Sequence, residues 1–463
     1  MEILSKLVDN INTFMWSYVL IVLLIGAGVY FSFRTKFVQF RYLKEMFKLL
    51  KPSNKSSEDG VSSFQAFCIS TASRVGTGNI AGVAMAVAAG GPGAVFWMWL
   101  IALIGGASSF VESTLAQIYK TKDSDGNYLG GPAYYIEKGL GKRWLGVVFA
   151  ILTTVCFGLV FNAAQSNTTT LAFTNAIGIS PIAMGIILSI LTALVIFGGV
   201  QRIAKVSEVI VPIFATAYIL VAIIVIILNI TSIPQIFKLI FENAFGIQQF
   251  AAGGLGFTVM QGIKRGLFSN EAGMGSAPNA AATATVSHPV KQGLTQTLGV
   301  FTDTIVICTC TAFIVLISGE YAGTSLTGIE LTQAALTSQI GSIGKYFLAI
   351  CTFLFAFSSI VGNYYYGQSN IEFITKSKII LNIFRIFVVI TVFAGSLASI
   401  KIVWDLADLF MALMAVINLI AIMFLGKYAF AALDDYSKQQ KLGKDPIFKA
   451  SSIKGLENTD AWE

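Results

Sequence analysis

The sequence predicts an all-α polytopic membrane protein with 11 transmembrane helices, and three observations predict it. Apolar residues make up 55% of the chain and charged residues 12%, against roughly 25% charged in a soluble protein. Mean hydropathy is +0.74. Eleven apolar stretches each approach the ~20 residues that cross a hydrocarbon core. Lysine and arginine gather on alternate connections between those stretches. The same figures exclude an ordinary soluble enzyme and a disordered or fibrous chain. The 43 glycines, beside only 9 prolines, show no collagen period and suit close-packed membrane helices.

The spans are expected near 15–33, 66–90, 94–119, 145–167, 181–200, 206–230, 250–275, 293–318, 345–368, 379–398 and 402–426. The first is not a signal peptide. It lacks a small-residue cleavage site, and a basic segment follows at once with Arg34, Lys36, Arg41, Lys44, Lys48, Lys51 and Lys55. After span 3 come Lys120, Lys122, Lys138, Lys142 and Arg143, and after span 5 Arg202 and Lys205. Span 7 is followed by Lys291, span 9 by Lys376 and Lys378, and span 11 by a tail with Lys427, Lys438, Lys441, Lys444, Lys449 and Lys454. The opposite connections carry only Lys6, Lys238, Lys345 and Lys401. Eleven spans keep this alternation, whereas ten or twelve would break it. The reading is a multi-pass protein of the plasma membrane, N-terminus outside and C-terminus cytoplasmic. The net charge of +7 is then a topology signal, and no nucleic-acid partner is implied.

Spans 2 and 7 are not expected to be continuous helices. Span 2 contains Ser73-Arg74-Val75-Gly76-Thr77-Gly78-Asn79-Ile80-Ala81-Gly82. Span 7 contains Gly253-Gly254-Leu255-Gly256 and then Gly262 through Ser276, a run rich in Gly, Ser and Asn. Glycine weakens a helix, and Asn, Ser and Thr compete for its backbone bonds. Non-helical backbone at membrane depth is tolerated only where protein buries it or where it lines a cavity. The two interrupted spans lie five apart. Spans 2–6 and 7–11 therefore form two sets of opposite orientation, the pattern that points to a transporter's central site. Glycine-packed helix contacts are the alternative. The organisation is an extra N-terminal helix with a basic loop (1–60), a first five-helix repeat (61–230), a second inverted one (231–430) and a cytoplasmic tail (431–463).

The chain has one histidine, His288, too few for most haem, zinc or His-based acid–base chemistry, so no enzyme is expected. Cys68, Cys156, Cys308, Cys310 and Cys351 sit in apolar stretches and read as small core hydrophobes.

The stretch Gln261 to Pro278, QGIKRGLFSNEAGMGSAP, resembles the signature of the alanine/glycine:cation symporter family, also called the sodium:alanine symporter family. Val75-Gly76-Thr77-Gly78-Asn79-Ile80-Ala81-Gly82 and Gly91-Pro92-Gly93-Ala94-Val95-Phe96-Trp97 resemble its other hallmarks. The resemblance runs from about residue 15 to 430. It implies a LeuT-like fold of two inverted five-helix repeats, here preceded by one extra helix. It also implies Na⁺ as coupling ion, no organic cofactor, and a small neutral amino acid as substrate, with the lipid bilayer as the other partner. No obligate protein partner is evident.

The resemblance carries over residue by residue. Gly76, Thr77, Gly78 and Asn79 would bind the substrate, its carboxylate meeting the backbone N–H groups of Thr77 and Gly78 at a positive helix end. Carbonyls of Ala72 and Val75, with the hydroxyls of Ser358 and Ser359, would hold Na⁺, a hard cation that prefers oxygen. A packing pair of small residues is the alternative for the serines. Gln165, beside Asn162 and Asn167, is implied near the substrate, or else makes an interhelical bond. Phe268 and Ala272, four apart, would wall the side-chain pocket or pack on span 2. Many members have Gly-Trp-x-Tyr-Tyr-Gly where this chain has Gly362-Asn363-Tyr364-Tyr365-Tyr366-Gly367. A carboxamide in place of an indole enlarges the pocket and predicts acceptance of glutamine. Arg74 stands where small residues are common, with Glu271 as one partner and snorkelling along the inner cavity as the alternative. Glu112, Asp303, Asp405 and Asp408 are proton sites or structural groups. Lys264 and Arg265, read toward the inner half of span 7, are gate charges or topology signals. An H⁺-coupled transporter of the same fold and a non-transporting amino-acid sensor remain the other readings.

Overall fold

Helices account for nearly all regular structure in the computed structural model, which describes residues 2–50, 61–123, 126–245 and 255–462. Lys51, Lys55, Gly253, Gly254 and the expected start of span 7 lie outside the described residues. Among the described residues 8 helices are long and apolar enough to cross a membrane. They are Lys6–Arg34, Ala94–Ile118, Arg143–Ile177, Gly199–Leu228, Pro289–Ser318, Ile343–Ile374, Lys378–Leu397 and Ile400–Lys441. Shorter or broken helices lie where the other three spans are expected. Span 5 is the shorter apolar helix Pro181–Ile196. Spans 2 and 7 are each broken, span 2 within its Gly-Thr-Gly-Asn stretch and span 7 only after Asn270, its helix running unbroken through Gly256, Gly262 and Gly266.

In span 2 the Ser63–Arg74 helix starts at a capping box, with Ser62 Oγ accepting the Gln65 N–H and Gln65 Oε1 accepting the Ser62 N–H. It ends where Val75 turns away (φ −79°, ψ 87°). A π-helical turn, Gly78–Gly82, leads into the Val83–Gly90 helix. In span 7 the Leu255–Asn270 helix ends at Glu271, whose φ of 58° is left-handed, and the short Ala277–Ala281 helix follows. Two more π-helical turns, Cys156–Phe161 and Phe301–Cys308, lie in spans 4 and 8 at the level of these breaks. Such turns recur at functional sites.

Broken span 7 packs backbone-close on the Ala94–Ile118 helix. A Cβ on Gly266 would come within 2.7 Å of Ile101 Cγ2, so the small residue sets the helix separation. Polarity is inverted relative to a soluble protein. Ile186, Ile190, Leu220, Ile224, Ile379 and Ile390 are exposed, while Asn79, Glu112, Gln165, Asp303, Asn363 and Asn418 are buried. All five cysteines are free and buried. His288 caps the Pro289–Val300 helix through Nδ1, which accepts the Val290 N–H at 3.2 Å. Burial pushes its imidazole down to about 4.

Candidate functional site

The first break turns backbone groups toward its own Asn79 and two neighbouring spans. The Gly76 N–H donates to Asn79 Oδ1 and the Thr77 N–H to Gln165 Oε1, both at 2.9 Å. Beside Gln165, Ser359 Oγ meets the carbonyls of Ala72 and Val75, at 2.8 and 3.3 Å. Ser358 points elsewhere, its hydroxyl donating to Phe355 O at 2.9 Å within its own helix. Gly76 leaves room for these side chains: a Cβ there would collide with Ser359 Oγ and come within 2.9 Å of the Gln165 carboxamide. Gly78 lies under the Phe268 ring, whose Cδ1 would be 2.8 Å from an added Cβ.

Asn79 ties the two broken spans together. Its Nδ2 donates to Asp303 Oδ1 at 2.6 Å and to Ser269 Oγ at 3.0 Å. Ser269 and Thr304 both donate to Asp303 Oδ2, at 2.6 and 2.9 Å. A second chain runs from Asn162 through Asn363 and Ser73 to Glu271. Asn363 Nδ2 donates to Asn162 Oδ1 at 3.1 Å, and the Ser73 hydroxyl lies 2.6 Å from Asn363 Oδ1 and 2.7 Å from Glu271 Oε1. Glu271 also accepts from Ser276 across the second break. The N–H groups freed in that break are taken by Glu112, whose two oxygens accept from Gly273 and Gly275, each at 3.1 Å.

On one side the site is closed by rings. Phe268 stacks on Phe161 with centroids 4.5 Å apart and lies 4.6 Å from Trp404. Arg265 caps Trp404 at 4.9 Å from its centroid. Lys264 Nζ and Arg265 Nη2 converge on Asp408 Oδ2, at 2.5 and 2.8 Å. Elsewhere a cavity of about 1050 Å³ is lined by residues that include Val61, Thr283, Tyr365, Gln368, Lys376 and Arg385. Tyr365 and Gln368 lie within two turns of Asn363 on the same helix.

Gly76, Thr77, Gly78, Asn79, Gln165 and Phe268 are therefore gathered at the first break, beside Ala72, Val75 and Ser359. Asn363 is one hydrogen bond away through Ser73. Ala272 departs from its expected place. The helix stops at Asn270, so the four-residue spacing from Phe268 is no longer helical, and Ala272 packs with Ala102 and Val300, 3.2 Å from the Cβ that Gly105 lacks. Lys264 and Arg265 lie in the half of span 7 before its break, not after it. Arg74 and Glu271 form no ion pair among the described residues. Arg74 donates to Gln296 O at 3.2 Å and to Gln296 Oε1 at 3.3 Å. Asp405 pairs with Lys401 at the exposed start of the last long helix. Asn167 makes the interhelical bonds, to the carbonyls of Gly395 and Ala398. Ser73 and Ser269 lay inside the two interrupted stretches without being singled out, and Phe161 and Trp404 had no sequence signal beyond their residue type. Asp303 and Glu112 were visible as acids in apolar runs, but their partners were not.

The family model described as "Sodium:alanine symporter family" matches residues 1–450. A probable sodium/glutamine symporter of Bacillus subtilis is 57% identical over 462 residues, covering 100% of this chain and 96% of its own length. A sodium/alanine symporter of Methanococcus maripaludis is 40% identical, covering 91% and 94%. Among solved structures, an Eremococcus coleocola manganese transporter mutant superposes with a TM-score of 0.54 over 85% of this chain and 90% of its own. At 13% identity that likeness shows a common fold alone.

Proposed function

The chain belongs to the sodium:alanine symporter family, and on that premise we propose that it couples Na⁺ entry to uptake of a small neutral amino acid, taking glutamine beside alanine and glycine. One observation carries the proposal. The break in span 2 sets carbonyl oxygens against Ser359 and an N–H against Gln165, side by side at Gly76. Oxygen donors suit Na⁺, and an N–H at the start of a helix half suits a carboxylate. A carboxylate that takes the Thr77 N–H displaces the Gln165 oxygen, and the freed carboxamide can then donate to the ligand. Bound Na⁺ holds Ala72 and Val75 in place, so the amino acid meets an ordered site.

The proposed frame is eleven spans: one extra helix, then inverted repeats at 61–230 and 231–430, N-terminus outside and tail in the cytoplasm. The cavity rim at 121–143, 198–201 and 374–385 is then cytoplasmic, and the Phe161–Phe268–Trp404 stack faces outward. On this reading the molecule is inward-facing, and spans 2, 3, 7 and 8 rock against the rest to reach the other state.

Proteoliposomes with an imposed Na⁺ gradient test this, with unlabelled amino acids as competitors. Alanine, glycine and glutamine are expected to compete. Replacing Na⁺ by choline is expected to weaken substrate binding at least about fivefold, the lower end of usual coupling factors; equal affinity in the two salts would refute the coupling. Asn363→Trp removes two hydrogen bonds and fills space beside Ser73. It is expected to lower glutamine uptake relative to alanine by about tenfold or more, as pocket-size discrimination usually does. An unchanged ratio would sink the assignment of glutamine selectivity to this position.

A further inference from the structure

The chain beyond the last long helix does not hang free. At Gln439 it turns back on itself: the Ile447 N–H donates to Gln439 Oε1 at 3.0 Å, and Gln439 Nε2 to Ile447 O at 2.9 Å. It then grips the approach to the Pro289–Val300 helix. The Phe448 N–H donates to Ser287 O and Ser287 Oγ to Pro446 O, both at 2.9 Å, and Lys291 pairs with Asp445 at 2.5 Å. The His288 ring lies between Tyr436 and Phe448, with centroids 5.1 and 5.2 Å away. Farther on, Trp462 donates its indole N–H to Gln117 O at 2.8 Å, in the last turn of the Ala94–Ile118 helix. Its ring lies 4.9 Å from the Lys120 ammonium and 5.2 Å from Phe448. Phe448, Ile453 and Trp462 are all buried.

Other grips of the same segment fall on different helices. Asp460 pairs with Lys138 at 2.6 Å, and Asn458 donates to Lys138 O at 3.2 Å, both on the Pro132–Leu140 helix. Tyr428 donates to Gly455 O at 2.7 Å. That helix is tied by Tyr135 to Asn418 of the last long helix. Residues 442–462 thus bond at once to spans 3 and 8, two helices of the rocking bundle, and to the body the bundle rocks against.

We propose that residues 442–462 form a cytoplasmic latch that holds the inner ends of spans 3 and 8 in the inward-facing position. This rests on the alternating-access reading given above. Domain rocking displaces helix ends by more than a hydrogen bond tolerates. The contacts at Ser287, Lys291 and Gln117, or those at Lys138 and Gly455, must therefore open each time the inner cavity closes. The latch is closed while the cavity between Thr283 and Gln368 is open, so it favours that state and slows departure from it.

The test uses the full chain carrying Gln368→Cys as a cavity probe, against a background of five buried cysteines. Thiol labelling by a membrane-impermeant maleimide is followed in inside-out vesicles. Two latch variants are compared with the parent: deletion of 444–463, and the milder Asp445→Asn/Asp460→Asn/Trp462→Ala in case the deletion misfolds. Each is expected to slow labelling about threefold or more, because weakening one state's contacts shifts the population to the other. Equal labelling rates in the parent and the triple variant would overturn the latch. In a second arm Lys291→Cys/Asp445→Cys, without the probe, is bridged by a short bis-maleimide. Bridging is expected to stop amino-acid uptake in proteoliposomes. Uptake at the unbridged rate would show that the segment travels with the bundle and is no latch. Absence of uptake by the intact chain would count against the symport reading, and the labelling rates would still decide on the latch.

Discussion

Asp303→Ala is expected to reduce Na⁺-driven uptake about a hundredfold or more. The carboxylate receives Asn79, Ser269 and Thr304 in a fully buried position. Removing it leaves three buried donors short of an acceptor, at about 1–3 kcal/mol each. The loss reaches the site through Asn79, whose Oδ1 holds the Gly76 N–H. With Asn79 free to turn, the first break loses the contact that fixes its shape. Asp303→Asn keeps one acceptor oxygen and is expected to fall between the two. The measurement is initial uptake rate per molecule of monodisperse reconstituted protein. An alanine variant with parental uptake would remove Asp303 from the transport machinery.

Ser359→Ala is expected to raise the Na⁺ concentration for half-maximal uptake about tenfold, with most of the maximal rate kept at saturating Na⁺. One oxygen donor among several is worth about 1.4 kcal/mol, a factor of ten. Ser358→Ala is the matched control. Its hydroxyl is already committed to Phe355 O, so the half-maximal concentration is expected to move less than about twofold for a group outside the site. Equal effects of the two variants would mean that Na⁺ is not held between Ser359 and the span 2 carbonyls.

Both breaks were legible in the sequence for a local reason. Glycines, carboxamides and hydroxyls inside an apolar run state a conflict between helix and backbone solvation, and that conflict needs no partner to be seen. Ser359 beside Ala72 and Val75 was reached through resemblance, because periodicity cannot say which helices meet. What escaped was long-range pairing. Asn79 finds Ser269 and Asp303 across 190 and 224 positions, and nothing near Asn79 names them. Ala272 was misplaced because the helix ends two residues earlier, at Asn270, where Glu271 adopts a left-handed backbone. Lys264 and Arg265 both precede the same boundary, in the helix that ends at Asn270. Arg74 found neutral partners, Gln296 and Ser109, whereas a reading by charge looks first for a carboxylate.

The ring stack beside the first break sets an energy scale for parting the helices that carry it. Phe161, Phe268 and Trp404 make two aromatic contacts, each worth about 0.5–1.5 kcal/mol beyond the area it buries. Separating them therefore requires about 1–3 kcal/mol in addition to the cost of exposing their buried area. One elementary charge crossing 100 mV releases about 2.3 kcal/mol. In the proposed symport cycle, the ring–ring part of that cost is of the same order as the electrical work of moving one ion across the membrane.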